Sequence, residues 1–141
     1  MQTNAPSDPR KGPKMAESPR IIRPLSPHLQ IYRPQMSSIT SILVRITGNG
    51  LIVSTMLIVW WLFAMTRGGA QYDLANTVLH SWPGTVVLIL SLWAVWFHYL
   101  GGIRHLIFDA GRGLDVASAD RMGWVMILGS VVLTALTLYL I

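Results

Sequence analysis

The chain has 141 residues, of which 52% are hydrophobic and 12% are charged, and its formal net charge is +5. So much apolar surface with so few charges excludes an ordinary soluble domain of this length. Six of the eleven Lys and Arg residues precede Arg45, ahead of the first long apolar run, which indicates a membrane-orientation signal rather than a nucleic-acid groove. The absence of cysteine excludes disulfides, thiolate metal sites and Cys-ligated iron–sulfur clusters in this chain.

Residues 1–22 are polar and proline-containing, and we expect them to be a disordered cytoplasmic tail. They contain no apolar stretch of signal-peptide length. They also fit poorly the Arg- and Ser-rich, acid-poor pattern of a mitochondrial transit peptide. The expected location is therefore a bacterial inner membrane rather than the mitochondrial one.

Three apolar runs are long enough to cross a bilayer, which takes about 20 mostly apolar residues. They occupy residues 46–65, 83–103 and 122–141. With their flanking turns they predict an all-α integral membrane protein. Its three-helix anchor domain covers residues 23–141, with spans of about 40–65, 83–108 and 122–141. Residues 66–82 are expected to form a loop between the first two spans.

The charges give the spans a direction. Most Lys and Arg residues lie in the N-terminal tail and in the loop over residues 109–121, whereas the loop over residues 66–82 holds only Arg67. Because positive residues favour the cytoplasmic side, we expect the N-terminus in the cytoplasm and the C-terminus in the periplasm.

His98 lies deep in the second span, roughly 22 Å from Pro83 and roughly 16 Å from Asp109 along a helix. An ionisable residue near the bilayer midplane is a functional candidate, and histidine is a frequent ligand of haem iron. A histidine that only hydrogen-bonds between helices explains the position equally well.

His105 follows His98 by seven positions, so both rings project from one helix face about 10.5 Å apart. That spacing excludes ligation of one iron by both. A porphyrin with its iron at His98 would direct its propionates toward His105 and Arg104, and two intervening glycines leave room for a flat ring or another helix. Alternatively, Arg104, His105 and Asp109 are ordinary interfacial residues that extend toward the headgroups.

A haem held from both faces needs a second axial ligand. The remaining histidines are His28, in the N-terminal segment, and His80, in the predicted loop. Neither is well placed, so we expect a second membrane subunit to supply the other histidine and to share the helix bundle.

Ser41 and Arg45 are four residues apart at the start of the first span, hence on one helix face at the cytoplasmic edge of the bilayer. Hydroxyl and guanidinium donors at that boundary suit the carbonyls of a quinone whose tail lies in the hydrocarbon. The alternative is that Ser41 caps a helix and Arg45 anchors the cytoplasmic end.

Two segments resemble signatures of a known family. Residues 98–111, HYLGGIRHLIFDAG, resemble the second signature of the cytochrome b subunit of succinate dehydrogenase. Residues 23–32, RPLSPHLQIY, followed by 41–48, SILVRITG, resemble the first. With the three spans, the resemblance covers nearly everything from Arg23 to Ile141.

The resemblance implies one of two membrane anchors in a four-subunit enzyme. A flavoprotein subunit would oxidise succinate, and an iron–sulfur subunit would pass the electrons to ubiquinone at the membrane. This chain would bind haem b and the quinone, and it would contain no catalytic residue for succinate chemistry and bind no nucleic acid. A quinol:fumarate reductase anchor and a haem-free structural anchor remain the alternative functions.

Carried over position by position, the resemblance implies that His98 is the axial haem ligand. Ser41, Ile42 and Arg45 would line the quinone site, and Arg45 and His105, with Arg104, would lie near the haem propionates. One position departs from the family, which usually has a histidine immediately before the arginine. Here Val44 occupies that position, so any propionate contact or proton relay through that histidine is in doubt.

Overall fold

A computed structural model describes Ile31 and residues 33–141. The predicted tail over residues 1–22, and His28, lie outside the described residues. Four helices form in the described part: α1 (Met36–Arg67), α2 (Gly69–His80), α3 (Trp82–Asp109) and α4 (Val116–Leu140). Helices α1, α3 and α4 are long and apolar enough to cross a membrane. The prediction of three spans is confirmed within this part of the chain.

Helix α3 packs against the other three helices, as α1 also does. It runs antiparallel to α1, because Arg104 bonds Thr40 near one end of the pair and Ser91 bonds Ser54 toward the other. It is also antiparallel to α4, because Arg104 bonds the Ala119 carbonyl near one end of the pair and the Trp93 indole donates to Ser130 farther along. The Trp96 indole donates to Thr137 of α4. Buried polar pairs of this kind hold helices together where lipid supplies no hydrophobic driving force.

The expected loop over residues 66–82 is wrong, because most of it forms α2. Gly68, at φ 64°, separates α2 from α1, and Ala75 and Leu79 are buried on the inner face of α2. With half-buried Tyr72, their spacing of three, four and seven residues is that of an amphipathic helix. His80 is therefore the last residue of a helix and not part of a loop.

The start of α3 is determined by a capping serine, a proline and a glycine. Ser81 caps it by accepting from the Gly84 amide at 3.3 Å, and proline occupies the first turn. A Cβ on Gly84 would lie 2.6 Å from the Leu79 carbonyl oxygen, so only glycine lets α2 and α3 meet this closely.

Candidate functional site

His98 lies where α3 crosses α1, and it is half-buried. Its Nδ1 is 3.2 Å from the backbone carbonyl oxygen of Val44. A carbonyl oxygen only accepts, so the bond places the proton of the neutral ring on Nδ1 and leaves a lone pair on Nε2. Among the described residues, Nε2 has no hydrogen-bond partner. The interhelical hydrogen bond and a ligand role are therefore compatible in the same imidazole.

An apolar groove of about 430 Å³ opens beside this imidazole on the bundle surface. Besides His98 it is lined by five residues of α1: Gly48, Leu51, Ile52, Thr55 and Met56. A Cβ on Gly48 would lie only 3.0 Å from His98 Cε1, so the missing side chain is what lets the ring rest on α1. The groove suits one face of a flat macrocycle held at Nε2, while its other side is open and would need a cover from outside this chain.

The α1 side of this groove continues toward the start of α1. Ser41 and Gly48 are seven residues apart, as are Arg45 and Ile52, so each pair lies on nearly one line along the helix, about 10.5 Å apart. Ser41 is half-buried, and Arg45 and Ile42 are exposed. The side of α1 that carries Ser41 and Arg45, two of the predicted quinone residues, therefore leads directly to the groove at His98.

Ser41 does not cap a helix, because α1 begins at Met36 with Gln35 at the cap position. That alternative for Ser41 is wrong. Among the described residues, the hydroxyl of Ser41 has no hydrogen-bond partner within the helix, unlike the neighbouring Thr40, which bonds the Met36 carbonyl. A hydroxyl left in this state is available to a ligand at the bundle surface.

His105 occupies the position that its spacing from His98 predicts. It is exposed and lies about 10.5 Å from His98 on the same face of α3. Because Arg104 touches Thr40, His105 lies at the membrane level of Ser41. Asp109 is in the last turn of α3, about 6 Å beyond His105 toward the end of that helix.

Arg104 does not point to the same side of α3 as His105. The expectation that Arg104 lies near the propionates of a haem bound at His98 is therefore not supported. Arg104 is six positions after His98, which turns its side chain about 120° around the helix from that of His98. Its guanidinium is buried, donates to Thr40 Oγ1 at 3.2 Å and to the Ala119 carbonyl at 3.3 Å, and stacks on Phe108. Arg104 therefore ties α1, α3 and α4 together.

Val44 packs inside the bundle. A Cβ on Gly101 would lie 2.7 Å from Val44 Cγ2 and 3.3 Å from Met126 Cε, so Gly101 makes room for both neighbours. Gly102 has open space around it. Of the two glycines between the histidines, Gly101 thus admits another helix, and only Gly102 lies on a free surface.

Sequence reasoning did not find Gly48. It lies fifty positions before His98 on another helix, and its role depends on the crossing of α1 and α3. The available signal was a small residue on the same helical line as Ser41.

A family model described as the succinate dehydrogenase/fumarate reductase transmembrane subunit matches residues 19–137. The chain belongs to this family. It is 48% identical to the succinate dehydrogenase cytochrome b556 subunit of Paracoccus denitrificans, over 88% of this chain and 95% of that protein. It is 39% identical to the subunit of the same name from Rickettsia conorii, over 81% and 89%.

A third relative is the succinate dehydrogenase cytochrome b560 subunit of Reclinomonas americana, at 34% identity over 76% of this chain and 78% of that protein. The family resemblance expected from the two signatures is confirmed. The chain is a multi-pass membrane protein of the cytochrome b anchor type, since the family match and the three apolar helices agree.

Proposed function

We propose that this chain is a haem b and quinone-binding anchor of succinate dehydrogenase that passes electrons from a partner iron–sulfur subunit to ubiquinone. The observation that carries the proposal is the arrangement of His98. Its Nδ1 faces the Val44 carbonyl, its Nε2 is left for a ligand, and an apolar groove lies beside it.

His98 would bind the iron through Nε2, and Gly48 would let the ring pack against α1. The bond from Nδ1 fixes the orientation of the imidazole and raises its basicity, as such second contacts do for metal-bound histidines. His105 and Arg45 would provide positive or donor groups for the propionates at the Ser41 level. Bound haem would supply a one-electron acceptor close to the quinone.

The other axial ligand would come from a histidine of a second anchor subunit. His80 ends α2, beside the start of α3 and far from His98, and His105 is about 10.5 Å from His98, so neither reaches the same iron. The open side of the groove is where this second subunit would pack, and the bundle would then be shared.

Ser41 would donate a hydrogen bond to one quinone carbonyl. Arg45 would stabilise the negative charge that develops on the quinone oxygens during reduction, an interaction that is stronger away from bulk water. Ile42, 57% exposed beside Ser41, would contact the quinone ring or the start of its tail. The protons would come from the water at this end of the bundle.

The N-terminal side of the bundle would face the cytoplasm of a bacterial inner membrane. Among residues 33–141 the end where α1 begins holds Arg33, Arg45, Arg104, Arg112 and Arg121, and the other end holds Arg67. The positive-inside tendency supports this orientation. The flavoprotein and iron–sulfur subunits would dock on the same side.

The experiment is a reduced-minus-oxidised optical spectrum of the purified complex, with His98→Ala compared with His80→Ala. We expect a b-type haem spectrum in the wild type and in His80→Ala, and its loss or conversion to a one-ligand form in His98→Ala. An assembled wild-type complex without a haem spectrum would favour the haem-free anchor. An unchanged spectrum in His98→Ala would refute the axial assignment.

A further inference from the structure

Thr47 is the residue of α1 immediately before Gly48, and only 3% of its surface is exposed. Its Oγ1 lies 2.8 Å from the Leu43 carbonyl oxygen and 3.0 Å from the Val44 carbonyl oxygen. A hydroxyl has one proton to donate, so that proton is shared between the two carbonyls. The Val44 carbonyl is also the one that faces His98.

Three donors surround the carbonyl oxygen of Val44. The Gly48 amide bonds it within the continuous helix α1, the Thr47 hydroxyl lies at 3.0 Å, and Nδ1 of His98 lies at 3.2 Å. An oxygen with two lone pairs cannot bond three donors at full strength. The distance to His98 is at the long end of the range for N–H···O hydrogen bonds, as expected for a weakened bond. Thr47 therefore competes with His98 for this acceptor.

The bond from Thr47 to Leu43 is ordinary by itself, because threonines in membrane helices commonly bond a carbonyl one turn back. Thr40 and Thr55 of α1 do the same. Among residues 33–141, no side chain of another helix donates to the carbonyls that these two threonines bond. What distinguishes Thr47 is that its second acceptor also receives a hydrogen bond from α3, and that the donor is the imidazole at the candidate haem site.

The strength of the bond from His98 Nδ1 affects the electron density at Nε2. A stronger bond at Nδ1 makes an imidazole a better electron donor to a metal at its other nitrogen. A better donor stabilises oxidised iron more than reduced iron and therefore lowers the midpoint potential. Competition from Thr47 acts in the opposite direction. This step rests on the proposed function, in which Nε2 binds haem iron, whereas the sharing of the Val44 carbonyl does not.

We propose that Thr47 is a positioning residue that raises the midpoint potential of the haem by weakening the hydrogen bond from His98 to the Val44 carbonyl. Thr47 acts through that carbonyl and not by touching the haem, because it is buried and does not line the groove beside His98. Removing its hydroxyl frees the carbonyl for His98.

The test is a potentiometric titration of the intact purified complex, followed at the haem absorption bands. Thr47→Val keeps the shape of the side chain without the hydroxyl, and Thr47→Ala removes the hydroxyl without adding bulk, so it decides the question where valine disturbs assembly. We expect both to shift the equilibrium toward oxidised haem about threefold, which lowers the potential of a one-electron couple by about 30 mV. Thr47→Ser retains the hydroxyl and should keep the wild-type potential.

Thr134→Val is the matched control. Thr134 is also buried, at 7% exposure, and its hydroxyl bonds a carbonyl one turn back on α4, that of Ser130. This bond involves neither His98 nor Val44, so the haem potential should equal that of the wild type. The Tm of each variant, measured beside the potential, separates a loss of packing from an effect on the imidazole.

The proposal is overturned if Thr47→Val and Thr47→Ala keep the wild-type potential or raise it. It is also overturned if Thr47→Ser or Thr134→Val lowers the potential as much, because the hydroxyl at position 47 would then not be the cause. A wild-type complex without a haem spectrum, or an unchanged spectrum in His98→Ala, would refute the proposed function and this inference with it. A haem spectrum that depends on His98, with equal potentials for Thr47→Val and the wild type, would refute this inference alone.

Discussion

His98 on α3 donates from Nδ1 to the backbone carbonyl of Val44 on α1, across 3.2 Å. The same carbonyl accepts from Thr47 Oγ1 at 3.0 Å. A backbone carbonyl cannot be removed by replacing a side chain, so the bond orients the imidazole whatever residue occupies position 44. This explains how His98 can stay oriented although Val44 departs from the family pattern.

The contact between Gly48 and His98 gives the first prediction. Gly48→Ala puts a Cβ 3.0 Å from His98 Cε1, so the ring must shift or tilt. We expect a weaker or shifted haem spectrum and a changed haem midpoint potential in the purified complex. Gly50→Ala, on the same helix with open space around it, is the control and should match the wild type. Equal spectra for the two variants would show that His98 does not depend on α1.

Ser41 and Arg45 give the second prediction, which concerns quinone kinetics. Arg45→Ala should lower kcat/KM for a short-chain ubiquinone about tenfold to a hundredfold, because one charge-assisted interaction with the reacting oxygen is lost. Ser41→Ala should lower it less, since a neutral donor is weaker. The rate is compared with the reduction of a soluble dye by the succinate-oxidising subunits, which should not change.

Arg67→Ala serves as the control for the loss of one exposed arginine, because Arg67 ends α1 at the far side of the bundle. Its quinone kinetics should equal those of the wild type. If Arg45→Ala behaves in the same way, the quinone site does not lie at the start of α1.

The three spans could be predicted because lipid requires long apolar helices, and hydropathy reports that directly. The ends of the helices were harder to predict from the sequence. Helix α4 begins at Val116, six residues before its predicted span, because Asp115 caps it and the charged residues Asp120 and Arg121 still precede the apolar run. Helix α2 was missed because a stretch of 12 residues is too short for a hydropathy signal, although its Ala75 and Leu79 have helical spacing.

The candidate site, too, could be predicted from the sequence only in part. The shared face of His98 and His105 follows from a spacing of seven, and that of Ser41 and Arg45 from a spacing of four. Arg104 was grouped with His105 because the two are adjacent in sequence, yet adjacent residues differ by about 100° in direction. Where Arg104 points, and what Gly48 permits, depends on how three helices pack, and no single-helix pattern contains that information.

The adjacent glycines on α3 give the third prediction. Gly101→Ala would place its Cβ 2.7 Å from Val44 Cγ2, so α1, α3 and α4 must separate slightly. Overpacking of this kind costs about 1–3 kcal/mol. We therefore expect a lower Tm of the detergent-solubilised complex. Gly102→Ala meets no atom within 4 Å and should leave the Tm near that of the wild type. A Gly101→Ala complex as stable as the Gly102→Ala complex would contradict the tight crossing.

The cap of α4 gives the last prediction, a pH dependence. Asp115 accepts from the Ser118 amide at 2.9 Å, and this backbone hydrogen bond is the main reason why the pKa of Asp115 is below its ordinary value. A depressed folded-state pKa means stability that is present above the unfolded-state pKa and lost as the pH falls through the folded-state value. The Tm of the complex should therefore fall partly through this carboxylate as the pH drops below the ordinary Asp pKa of about 4. Asp115→Asn retains a capping oxygen without the titrating charge, so its Tm should fall less in acid than that of the wild type. Asp73→Asn, at an exposed position of α2, is the control and should keep the pH dependence of the wild type. Identical Tm-against-pH curves for wild type and Asp115→Asn would show that the cap does not contribute to acid sensitivity.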